Sequence, residues 1–124
     1  MNIRKPTDYT AMFTALDAAV AAQLPQMELC CEIGRVVSGR GEKGAAVAAS
    51  EYLQAAYPAA DGFSPRNVRR MRDFYRMYGD TPELLAAAMH LNWTQNVVIM
   101  EAGLTMDERC WYIRKAAESG LSKT

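Results

Sequence analysis

A chain of 124 residues suits one domain with a modest core, and with 50% hydrophobic and 23% charged residues it belongs to the globular class rather than the disordered one. Its 14 basic and 14 acidic side chains cancel, so no global field draws it to DNA or to a membrane. The longest apolar run is far short of the ~20 residues a membrane span needs, and the start, MNIRKPTDYT, lacks the apolar stretch of a signal peptide, so the expectation is a cytoplasmic protein.

Helical periodicity predicts seven helices and no strand. The first, TDYTAMFTALDAAVAAQL, has Thr7 as its predicted N-cap and Met12, Leu16, Ala19 and Val20 at helical spacing. Pro25 opens a second helix whose face is read as Leu29, Ile33, Val36 and Val37. GRGEKG is a loop, and a third helix, AAVAASEYLQAAY, ends at Pro58. Ser64 then caps a fourth helix, with Pro65 at the position that tolerates proline, running to Tyr78 and stopping at Gly79. Thr81-Pro82 repeats that start signal, Asn92 caps a sixth helix ending at Gly103, and Thr105 with Glu108 forms a capping box for a seventh closed by Gly120. The short connections predict a compact all-α bundle of six or seven helices.

One segment stands apart in charge. Residues 61–80 hold five arginines against three aspartates, whereas 1–60 hold five basic against six acidic side chains and 81–124 four against five. On a helical wheel of GFSPRNVRRMRDFYRMYGD, Val68, Met71, Phe74, Tyr75 and Tyr78 form the core arc, with Asn67 at its edge. Arg66, Arg69 and Arg76 point the other way with Asp73, and Arg70 and Arg72 flank the stripe, so the arginines are expected to form a continuous outward face. Two readings stand at this point. The face is the solvated back of a core helix, arginine being a good helix former, or it is a surface for nucleic-acid phosphates. Arg66 in the first turn, where the helix dipole disfavours a cation, points to an anionic partner. Asn67 likewise has two roles open: a base reader, or a structural side chain bonded to the backbone.

Most chemistry is set aside. The three cysteines, Cys30, Cys31 and Cys110, are read as reduced thiols, and with His90 the only histidine they lack the spacing of a metal site. GRGEKG matches a dinucleotide glycine pattern in form, but a helix precedes it where the chemistry needs a strand. No acidic residue has lysine two positions later, as a restriction-type nuclease centre would. His90 is read as a structural or solvent-facing side chain at a helix end. Trp93 and Trp111 are read as core, with base stacking on single strands as the alternative. No cofactor, metal or catalytic residue is expected.

From Cys30 to Ser122 the pieces CCEIGRVV, YLQAAYP, GFSPRNVRRMRDFY, LNWTQNVVIM and ERCWYIRKAAESGLS, in this order and spacing, resemble the N-terminal domain of YhcG-type proteins. The resemblance implies an all-helical domain, helix-turn-helix-like and suspected of binding DNA, that precedes a PD-(D/E)xK nuclease domain in full-length relatives linked to mobile elements and defence. It places Arg66, Asn67, Arg69 and Arg70 in the family's arginine-asparagine segment. Departures are Leu121 where a tryptophan is frequent, and Thr94-Gln95 after Trp93 where serine and histidine are frequent. Residues 1–124 are therefore expected to be a single helical domain without a nuclease domain, a stand-alone or truncated copy whose exposed patch a homodimer or partner could bury.

The expectation is a non-catalytic DNA-binding or DNA-targeting module that contacts double-stranded DNA through Arg66, Asn67, Arg69, Arg70, Arg72 and Arg76. The alternative is a protein-interaction module, pairing with itself or with a separately encoded nuclease.

Overall fold

A computed structural model describes residues 7–119, and these form seven helices without a strand. They are α1 (Thr10–Ala21), α2 (Gln26–Ser38), α3 (Ala45–Ala56), α4 (Pro65–Tyr78), α5 (Pro82–Met89), α6 (Trp93–Glu101) and α7 (Met106–Ser119). The predicted closure of the last helix by Gly120 lies outside the described residues.

The helix starts follow local hydrogen-bond chemistry. Ser64 Oγ accepts from the Asn67 N–H at 3.2 Å, with Pro65 in the first turn. Asn92 and Gln95 bond reciprocally at the head of α6, and Thr105 and Glu108 do the same for α7, at 2.9 and 3.1 Å. Thr7 is not the cap of α1. Tyr9 occupies that position, and Asp8 Oδ1 accepts the Thr10 N–H at 2.9 Å; a carboxylate two residues from the first free amide reaches it and suits the positive helix end. Thr81 makes no side-chain cap bond although α5 starts where expected. The sixth helix stops at Glu101, two residues early, and Gly103 takes a positive φ of 71° in the turn that follows.

Helix α4 lies at the centre, touching α2, α3, α5 and α6. Its buried side chains, Val68, Met71, Phe74 and Tyr78, reproduce the predicted arc, with Tyr75 only half-buried. The α2 face is rotated from the expected one: Cys30, Ile33, Gly34 and Val37 are buried, while Leu29 and Val36 are half-buried. Gly34 is the reason. A Cβ there would lie 2.1 Å from the Met71 carbonyl oxygen, so α4 reaches a distance from α2 that only glycine permits.

Small residues do the same for α3, which buries Ala45, Ala46, Ala49, Ser50 and Leu53. The buried Ser50 hydroxyl donates to the Phe63 carbonyl at 2.5 Å and Gln54 Nε2 donates to the same oxygen at 3.2 Å. The turn between α3 and α4 is thereby tied to α3. On the other side of α3, both oxygens of Asp17 accept tyrosine hydroxyls, from Tyr52 at 2.6 Å and Tyr57 at 2.7 Å. Phe13 stacks on Tyr52 with centroids 4.2 Å apart. These contacts clasp α1 to α3.

Candidate nucleic-acid interface

The site is the outward side of α4, and its arginines fall into three groups. Arg66 and Arg69 are exposed and make no hydrogen bond or ion pair among the described residues. Arg76 is also exposed, and its guanidinium donates to the Arg40 carbonyl at 3.3 Å, which leaves its charge uncompensated. Arg70 and Arg72 are half-buried and carry carboxylate partners. Arg70 grips Glu101 with two bonds of 2.8 and 3.0 Å, and Arg72 Nε donates to Asp73 at 3.0 Å.

The expected continuous face of five free guanidiniums is therefore corrected. Glu101, the last residue of α6, consumes Arg70, and Asp73 consumes Arg72. The Glu101 carboxyl is held below its ordinary value first by the Arg70 hydrogen bonds, with the charges of Arg70 and Arg66 adding to the effect. The α6 terminus thus also damps the field of Arg66. What remains is a row of three cations, Arg66, Arg69 and Arg76, along one side of α4.

Asn67 is half-buried, as its place at the edge of the core arc predicts. Its Nδ2 donates to the Gly62 carbonyl at 2.7 Å, where Gly62 sits at φ 88°, and its Oδ1 accepts the Trp93 indole N–H at 2.9 Å. Both ends of the amide are engaged within the fold, the arrangement that the structural role expects. Trp93 is buried, as expected, and meets Phe74 edge-on at 5.8 Å.

Trp111 overturns its expectation. It is 59% exposed on α7, with Tyr112 at 49% and the two rings in edge contact. Ile113 is the one fully buried side chain of that helix among the described residues, and Trp111 lies on the opposite side of it.

Elsewhere the chemistry is quiet. GRGEKG is a loop between α2 and α3, and His90 is an exposed residue at the end of α5. The three cysteines are free, and burial pushes the Cys30 thiol up to about 12. Among the described residues no group of three or more His, Cys, Asp or Glu side chains could hold a metal ion, and no helix is long and apolar enough to cross a membrane.

An all-α bundle with a central amphipathic arginine helix is thus the class of protein in hand. The family model described as the DUF1016 N-terminal domain matches residues 14–124, and the chain belongs to this family, the YhcG-type N-terminal domain. No curated protein and no solved structure matches the chain.

Proposed function

We propose that the chain is a non-catalytic DNA-targeting module that contacts duplex phosphates through the outward side of α4. The observation that carries this reading is the exposure of Arg66, Arg69 and Arg76 on one side of that helix with no carboxylate hydrogen-bonded to them, although Glu101 damps the charge of Arg66. Helix α4 also begins at an end whose dipole favours anions. In this reading α3 and α4 act as a helix-turn-helix-like pair, joined by the eight-residue connection 57–64, longer than the usual turn of about three or four. The arginines bind and orient, and any cutting falls to another polypeptide or domain in the cytoplasm. Three phosphate contacts predict weak, sequence-independent binding that weakens steeply with salt, each contact adding about 0.9 to the slope.

Fluorescence anisotropy of a labelled duplex, titrated with protein across a salt series, tests this. Arg69→Ala and Arg66→Ala should each lower the slope by about one. Binding whose salt dependence both variants leave unchanged would sink the assignment.

A second reading, a protein-interaction module, is favoured by the exposed Trp111 and Tyr112 on α7, because aromatic anchors are enriched at protein interfaces. It uses a different helix from the arginine row, so the two roles are compatible.

A further inference from the structure

From this second reading, on which the inference rests, we infer that the outward face of α7 is a self-association surface, on which a second copy packs antiparallel about a two-fold axis at Trp111. The charges around the ring point to this occupant. Asp107, Glu108, Trp111, Arg114, Lys115 and Glu118 are all exposed, and at ~100° per residue they share one side of the helix, opposite Ile113. The acids precede the ring and the two bases follow it. Asp107 lies four residues before Trp111 and Arg114 three residues after it, about 6 and 4.5 Å along the axis.

A two-fold axis at Trp111 reverses the second helix, so heights below the ring on one copy meet heights above it on the other. Asp107 of each copy then faces Arg114 of the other on one flank. Glu118 reaches beyond these pairs to the amino-terminal end of the opposite helix, where a carboxylate is favoured. A parallel pairing would instead bring the acids of both copies to one height and the bases of both to another, and like charges select against it. Trp111 meets its own copy at the centre, surrounded by charge pairs, which is the arrangement of an interface anchor. A patch centred on one helix is small for an interface, so the association belongs to the weak, micromolar class.

Sedimentation velocity from about 5 to 500 µM, spanning that class of affinity, reads the outcome. The wild type is expected to move from monomer to dimer. Trp111→Ala should weaken association at least about tenfold. Asp107→Arg and Arg114→Asp should each stay monomeric alone, yet form a mixed dimer when combined, because each then supplies the charge the other lacks. All three positions are exposed, and circular dichroism confirms that each variant keeps its helices. A wild-type monomer throughout overturns self-association and leaves the broader interaction reading standing. A dimer that Trp111→Ala leaves intact removes α7 from both. Association that appears only with added single-stranded oligonucleotide overturns the inference in favour of base stacking on Trp111.

Discussion

The indole N–H of Trp93 donates to Asn67 Oδ1 at 2.9 Å, joining the first turn of α4 to the first residue of α6. The same amide holds the Gly62 carbonyl at 2.7 Å, so one side chain anchors a turn, the start of α4 and a buried tryptophan. This makes Asn67 a positioning residue for the arginines that follow it.

Replacing Asn67 with alanine leaves the Trp93 donor without its partner in a largely buried setting. We expect a loss of about 1 to 3 kcal/mol in urea denaturation. Asn67→Asp should retain much of this stability, since a carboxylate oxygen still accepts the indole proton. Equal loss from both variants would show that the indole bond contributes nothing.

Gly34→Ala tests the closest helix approach. The added methyl would sit 2.1 Å from the Met71 carbonyl oxygen and 2.7 Å from its carbon, both backbone atoms that yield only if α4 moves. Overpacking of this kind costs about 1 to 3 kcal/mol, and a thermal melt should fall accordingly. An unchanged midpoint would contradict the close approach of α2 and α4.

Glu101→Gln should raise affinity for duplex DNA. The variant removes the charge that compensates Arg70 and damps Arg66, so the salt slope should steepen by about one. Its cost in stability is small, since partly exposed pairs contribute about 0 to 1 kcal/mol. Tighter binding in Glu101→Gln together with weaker binding in Arg69→Ala would place the contact on the outward side of α4; no change in either would move it elsewhere.

The Asp17 clasp predicts a pH dependence. Hydrogen bonds from Tyr52, then Tyr57, hold the Asp17 carboxyl below its ordinary value of 3.8. A depressed folded-state value means that this stabilisation is present above the unfolded value and is lost as pH falls through the folded one. Acid unfolding therefore draws partly on Asp17, and Asp17→Asn should flatten the fall in stability below about pH 4. The partner hydroxyl tells the same story from the alkaline side. Tyr57 is pushed up to about 12, chiefly by donating to Asp17, and this part of its stabilisation is present below the unfolded value of 10.0 and lost as pH rises towards 12. An ultraviolet titration in which Asp17→Asn fails to lower a tyrosine midpoint would contradict the clasp.

The legible parts of this molecule were those written within a few residues. Ser64, Asn92 and the Thr105–Glu108 box act on amides three positions away, and the α4 core arc follows from helical period alone. The family resemblance could likewise be read from ordered motifs, and the match to residues 14–124 agrees with it. The rotated face of α2 could not be read that way, because its cause is the Met71 backbone lying against Gly34.

What the amino-acid order determined by itself was the set of helices, the side-chain caps of α4, α6 and α7 and the placement of arginine opposite apolar residues on α4, because these depend on local backbone geometry and a 3.6-residue period. What only the tertiary structure decided was which charges remain free and which rings stay outside. Glu101 reaches Arg70 across 31 residues, Trp93 claims Asn67 across 26, and Trp111 stays in solvent because the helices packed on α7 meet its other side. Such pairings arise from distance in space, which sequence spacing does not encode.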